Sequence, residues 1–393
     1  MKHHAPFRAA EDWRHGGFAL YVHWPYCSAK CPYCDFNSHV ATRIDHKAWR
    51  TAYLRELERE APRFAGRRLQ SIFFGGGTPS LMEPYTVAEV IRGATDIWEP
   101  AIDLEVTLEA NPTSSEAARF AGFREAGVNR LSIGVQALDD TALKRLGRQH
   151  DSATALAAVA LARSLFDRVS LDLIYARQDQ TLAQWEAELQ HVLALHPDHL
   201  SLYQLTIEPE TVFGRRHAEG RLTGLPDEDL AADMYDLTGD VCSAAGLAAY
   251  EISNYSRVGA AARHNLVYWR YGDFVGIGPG AHGRVMLEGH RYATIAERDP
   301  LRWLGSAHAG RSEHVSLNQL NALEQAEEML MMGLRLYEGV SLSRYKELSG
   351  NPLSQTTIDR LRDDGLLESS DGSLRCTHDG RRLLNEILRH LLA

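Results

Sequence analysis

Residues 19–34 read ALYVHWPYCSAKCPYC. The stretch Ala19–Trp24 is apolar or aromatic except for His23, which suits a buried first strand that Pro25 then ends. Cys27, Cys31 and Cys34 follow within eight residues, with Pro25 and Pro32 beside them. A strand that hands three thiols to the loop at its end has the layout of a barrel whose chemistry sits where strands finish.

Working outward, strand-like and helix-like segments alternate up to about residue 253. Asp45 opens a helix on which Trp49, Tyr53, Leu57 and Ala61 share one face. Ser71–Phe74 reads as a short buried strand. Leu104, Val106 and Leu108 alternate with Asp103, Glu105 and Thr107, as in a half-buried strand. Thr113 with Glu116 forms a capping box, and Gly127 stops the helix that follows. Arg130–Val135, Val169–Tyr175 and Leu200–Ile207 are further strands. Thr181 with Gln184 caps a helix reaching about His196, and 226–246 is another helix.

Six β-then-α units predict an α/β fold, a partial TIM-like (β/α)6 barrel over 18–255. No G-x-G-x-x-G follows the first strand, which argues against a dinucleotide-binding sheet. Residues 1–17 read as an N-terminal extension and 256–320 as an irregular connection. Residues 321–393 read as a mainly helical, winged-helix-like domain with a small hairpin turning at Asp371-Gly372.

The 393 residues carry 42 Lys plus Arg against 52 Asp plus Glu, a net charge of −10, which disfavours nucleic acid as the partner. Residues 341–393 hold eight basic and eight acidic side chains, so the winged tail lacks the excess a recognition helix shows. No apolar run approaches the ~18 residues of a membrane span, the best being Ala153–Ala162. The polar, His-rich start has no apolar signal region, so a cytoplasmic chain is expected, with peripheral membrane contact left open.

Cys242 and Cys376 stand alone, whereas the trio is crowded, which is the pattern of a metal site rather than a disulfide framework. Three thiolates on one loop can hold three irons of a [4Fe–4S] cube and leave the fourth open. Zinc is the alternative. It would need a fourth ligand, with His23 or His39 nearest in sequence.

The spacing Cys27-x3-Cys31-x2-Cys34, with Tyr33 beside the last thiol, resembles the radical S-adenosylmethionine (SAM) superfamily. Residues 21–27 (YVHWPYC) and 31–38 (CPYCDFNS), with 73–80 (FFGGGTPS), resemble the anaerobic coproporphyrinogen oxidase group, and within it the HemW-type heme chaperones. The resemblance implies a [4Fe–4S] cluster on the three cysteines, SAM on its open iron, and a 5′-deoxyadenosyl radical. It also implies a SAM pocket lined by Tyr21, Tyr33, Gly76, Gly77, Thr78, Glu109, Gln136, Arg148 and Asp172. The glycines would let the backbone approach the amino-acid end of SAM.

Two features separate the subfamilies. The oxidases resembling this chain carry a fourth cysteine two residues after the third, where Phe36 stands here. Residues 264–269 (HNLVYW) match the H-N-x-x-Y-W motif of the chaperones, implying heme binding by His264, Asn265, Tyr268 and Trp269. The expected function is a heme chaperone that hands heme to an acceptor hemoprotein, as a monomer or a cluster-dependent dimer, with no catalytic residue assigned. The alternative is an oxygen-independent coproporphyrinogen III oxidase. Residues 276–283 (GIGPGAHG) also resemble the group and are expected to close over the SAM pocket. The group's Gly-Leu-Pro-Gly turn after strand five is replaced by Ala176-Arg177-Gln178-Asp179, which should alter that loop.

Overall fold

The structure is a computed structural model that describes residues 9–311 and 315–393; the first eight residues of the N-terminal extension lie outside the described residues. Six strands follow in order: β1 (Phe18–Trp24), β2 (Arg68–Gly76), β3 (Glu99–Ala110), β4 (Arg130–Gln136), β5 (Arg168–Tyr175) and β6 (His199–Gln204). Each pairs in parallel with the next. Helices fill the crossovers, as parallel pairing requires.

The stretch 256–320, expected to be irregular, contains regular elements instead. β7 (Asp273–Ile277) lies parallel to β1 on its free side, adding a seventh parallel strand. β8 (His282–Leu287), β9 (His290–Ala296) and β10 (Val315–Gln319) extend that flank antiparallel. Beyond β6 the short strands Asn254–Ser256 and Ala248–Ala249 do the same. The two flanks do not join, so the barrel stays open. Glycine and aromatic content hid these strands, because β7 and β8 turn on Gly278 and Gly280, both at positive φ.

Helix starts follow the expected caps. Asp45 accepts from Ala48 N at 3.0 Å, and Trp49, Tyr53 and Leu57 are buried. Trp49 lies flat on Trp303, 5.4 Å between ring centres. Thr181 and Gln184 cap each other reciprocally. Two expectations are corrected. Glu116 does not return to Thr113 N; its carboxylate accepts from Asn111 N at 2.9 Å and from the Ser80 hydroxyl, and the helix after Thr113 breaks into Ser114–Ala117 and Phe120–Glu125. β3 is not half-buried either, for Glu105 and Thr107 are both fully buried. A parallel strand covered on both faces has no solvent side for alternation to mark.

The C-terminal unit begins with the helix Ala322–Gly333. Strand Val340–Ser341, helices Leu342–Ser349 and Gln355–Asp363, and hairpin Leu367–Ser370/Ser373–Cys376 follow in winged-helix order. Asp371 and Gly372 both take positive φ at its turn. Its core is separate from the barrel's and includes Leu330, Ile358, Leu374 and Ile387. Ion pairs join the two: Asp12 meets Arg291 at 3.0 Å and Arg344 at 2.8 Å, and Glu328 meets Arg284 at 2.7 Å.

Candidate functional site

The carboxyl ends of the parallel strands meet at one mouth. The cysteine loop leaves β1 there and is fastened to the glycine loop after β2, with Gly77 N bonding Trp24 O at 2.6 Å and Thr78 N bonding Tyr26 O at 2.8 Å. That approach explains the glycines. A Cβ on Gly77 would stand 2.7 Å from the Tyr26 carbonyl oxygen, and one on Gly76 (φ 109°) would stand 2.6 Å from the His23 ring. Pro32 rests over Gly147, and its carbonyl accepts from Phe213 N at 2.8 Å.

Cys27, Cys31 and Cys34 are free thiols facing one cavity of about 450 Å³. Each sulfur has a polar neighbour: the Thr78 hydroxyl donates to Cys27 at 3.3 Å, Arg148 Nη1 donates to Cys31 at 3.4 Å, and Ser38 Oγ lies 3.9 Å from Cys34. Burial raises the pKa of Cys27 and Cys34, so ligation would release their protons.

Among the described residues no three His, Cys, Asp or Glu side chains converge on a single metal ion. Zinc would draw its sulfurs to within ~4 Å of one another, whereas a cube spreads its ligands one per iron. His23 is also unavailable as a fourth ligand. Its Nε2–H donates to Asn37 O at 3.0 Å, and its Nδ1 accepts from Tyr21 OH at 2.8 Å. The donor set therefore fits the iron–sulfur cube.

Tyr33, Gly76, Gly77, Thr78, Glu109, Gln136, Arg148 and Asp172 all line this cavity with the thiols. Tyr21 does not. It stacks on Phe73, 5.8 Å between centres, and faces an adjoining chamber. Asp172 accepts from the Ser132 hydroxyl at 3.0 Å, and burial lifts its pKa to about 6 against the hydroxyls of Ser201 and Ser132. Burial, reinforced by the charge of Asp172, pushes Glu109 up to about 8. Two carboxyls in a poorly hydrated cavity favour a cationic ligand, as the ammonium and sulfonium of SAM are.

Asn111 was not singled out in the sequence. Its Nδ2 donates to Thr78 Oγ1 at 3.1 Å and its Oδ1 accepts from Arg148, so it ties together the residues that touch Cys27 and Cys31. The Asn-Pro pair ending β3 was its only mark. Arg148 Nε is buried without a hydrogen-bond partner.

The Ala176–Asp179 loop keeps a glycine-type backbone without glycines, with φ of 55° at Ala176 and 58° at Asp179. Gln136 also takes positive φ, 67°, and Arg177 holds it, donating to Gln136 O at 3.2 Å while paired with Glu188. Residues 276–283 do not cover the thiol cavity; Gly280 and His282 line the adjoining chamber instead.

The H-N-x-x-Y-W segment lies on helix Arg263–Trp269, beneath the strands. His264 is 7% exposed, with Nδ1 3.1 Å from Glu105 Oε1 and its ring flat on Phe73 at 4.0 Å. Asn265 donates to Tyr250 OH at 3.1 Å, Tyr268 packs on Phe274, and Trp269 stacks on Arg335. The four are thus grouped together but stand apart from the thiol cavity.

The Radical SAM superfamily model matches residues 21–192 and the HemN C-terminal domain model matches 320–383. Heme chaperone HemW of Escherichia coli is 37% identical, over 95% of this chain and 98% of that protein; that of Bacillus subtilis is 33% identical, over 94% and 97%. The bovine Radical S-adenosyl methionine domain-containing protein 1, mitochondrial, is 40% identical over 95% of this chain and 87% of its own. The solved Escherichia coli coproporphyrinogen III oxidase HemN, a radical SAM enzyme, superposes with a TM-score of 0.77 at 23% identity, over 98% of this chain and 92% of that one, a likeness of fold. On its cysteine spacing, its barrel and this identity along nearly its whole length, the chain belongs to the HemW family of radical SAM proteins.

Proposed function

We propose that the chain is a heme chaperone: it binds heme and passes it to an acceptor hemoprotein. Cys27, Cys31 and Cys34 hold a [4Fe–4S] cluster, and SAM occupies the cavity they share with Glu109, Gln136, Arg148 and Asp172. When bound, the reduced cluster supplies the electron that cleaves the SAM sulfonium. The chain's own groups prepare the place. Arg148 and Thr78 donate to the sulfurs, Asp172 offers negative charge to a cation as Glu109 does once its proton has left, and Gly76 and Gly77 keep the backbone close.

The observation that carries the reading is the thiol trio open to one cavity, with Phe36 rather than cysteine two residues on. Phe36 and the HemW relatives favour the chaperone over coproporphyrinogen III oxidase. The motif residues His264, Asn265, Tyr268 and Trp269 act from beneath. With Nδ1–H given to Glu105, His264 would have its in-plane Nε2 lone pair left for iron. We hold the chain to be cytoplasmic, monomeric or dimerised by its cluster; no helix among the described residues is long and apolar enough to cross a membrane.

Anaerobic reconstitution tests the cluster: about four irons and four sulfides per chain are expected, falling sharply in Cys27→Ser. A single zinc, or no metal, would refute it. Hemin titration followed by mixing with an apo-hemoprotein tests the chaperone, and protoporphyrinogen formed from coproporphyrinogen with SAM and reductant would favour the oxidase instead.

A further inference from the structure

Beside the thiol cavity lies a second chamber of about 510 Å³, well within the range of sites for cofactor-sized ligands (~300–1,000 Å³). The two share Asp35, Phe36, Gly76 and Glu109 in their walls, so they lie side by side at the barrel mouth. The chamber's inner wall is aromatic, formed by Tyr21 and Phe73, and Phe36 stands 57% exposed at the junction. Its far wall carries His282, Ile295 and Arg298.

The two polar groups on that wall are uncommitted. The His282 ring is exposed and makes no hydrogen bond or ion pair among the described residues, and the same holds for the Arg298 guanidinium. Partial burial at the foot of the ring, helped by the charges of Arg284 and Arg298, lowers the pKa of His282 and favours the neutral imidazole. Neutral imidazole is an axial ligand for heme iron, and a free guanidinium fits a propionate. Flat aromatic walls fit the macrocycle.

The placement of these groups is fixed by the cysteine loop itself. Asn37 Nδ2 donates to Pro279 O and to Arg298 O, each at 2.9 Å. Asn37 also packs on Gly280, whose φ of 77° and missing side chain allow the approach. The wall bearing His282 and Arg298 is therefore stitched to the segment that carries Cys34. The Asp35 carboxyl lies at the junction, on the cluster side of the chamber and away from Arg298.

We propose that this chamber is a second heme seat, separate from the His264 group, with His282 ligating the iron and Arg298 pairing with a propionate. The proposal rests on the heme-chaperone reading and adds to it a site at the mouth, on the opposite side of Phe73 from His264.

The test is an anaerobic hemin titration of reconstituted wild type, His282→Gly and Arg298→Ala, with iron content measured on each to certify the fold. His282→Gly should lose the imidazole-type Soret and spin-state signature and bind hemin at least about tenfold more weakly. Added free imidazole should restore the signature. Arg298→Ala should weaken binding several-fold and leave the signature unchanged. A His282→Gly protein that holds its four irons and keeps the wild-type spectrum and affinity overturns the site while leaving heme binding intact. Wild type that takes up no hemin refutes the heme-chaperone reading itself.

Discussion

His264 gives its Nδ1–H to the Glu105 carboxylate at 3.1 Å, and Glu105 is also 3.1 Å from Arg168 and 3.5 Å from Arg130. Burial works against the charge on Glu105, yet the His264 bond and the two guanidiniums hold its pKa down at about 2. Because the folded value lies below the usual 4.5, the stabilisation is whole above pH 4.5 and drains away as pH falls toward 2. Glu105→Gln strands two cations near His264 and should cost roughly 3–5 kcal/mol at pH 7. Urea unfolding at several pH values checks both points. Equal acid sensitivity in wild type and variant would remove Glu105 as the cause.

Arg148 puts a charged donor against Cys31. Arg148→Ala should still assemble the cluster, since all three thiols remain, but its reduction potential should fall as the positive neighbour disappears. Anaerobic redox titration followed by electron paramagnetic resonance measures this. An unshifted potential would mean the contact does not survive metal binding.

Glu109 carries a proton up to about pH 8. That proton must leave before the carboxylate can face a cation, so SAM affinity should rise as pH is raised toward 8 and level off above it. The slope is bounded at about tenfold per pH unit. Glu109→Gln should flatten the curve and weaken binding. Calorimetry between pH 6.5 and 8.5 decides; a flat wild-type profile contradicts the role.

Ala176 holds a left-handed backbone that a side chain disfavours by roughly 1–2 kcal/mol. Ala176→Gly relieves the strain but loosens the unfolded chain, and should leave a net gain of up to about 1 kcal/mol. A loss of stability on chemical denaturation would show that the methyl of Ala176, a residue only 5% exposed, packs more firmly than its backbone is strained.

The order of strands and the ring of polar residues at their ends could be read from the sequence, because both are written at short range: apolar runs, caps, and polar residues just past each strand. What stayed hidden depends on contacts distant in sequence. Glu105 looked like the solvent side of a strand because Arg130, Arg168 and His264, which bury it, come 25 to 159 residues later. β7 was missed since five residues between glycine-rich turns carry little pattern, and its place is fixed by β1. Asn111 is a polar residue just past β3, but nothing local shows that it bridges Thr78 and Arg148, which come from two other segments.

Each thiol of the trio is attended by a group delivered from another part of the chain or loop, Thr78 by the turn after β2 and Arg148 by the segment after β4. The socket is thus complete only once four strands have come together. A chain stalled before β4 would present its cysteines to the cell without the Arg148 donor, as bare, oxidisable sulfur.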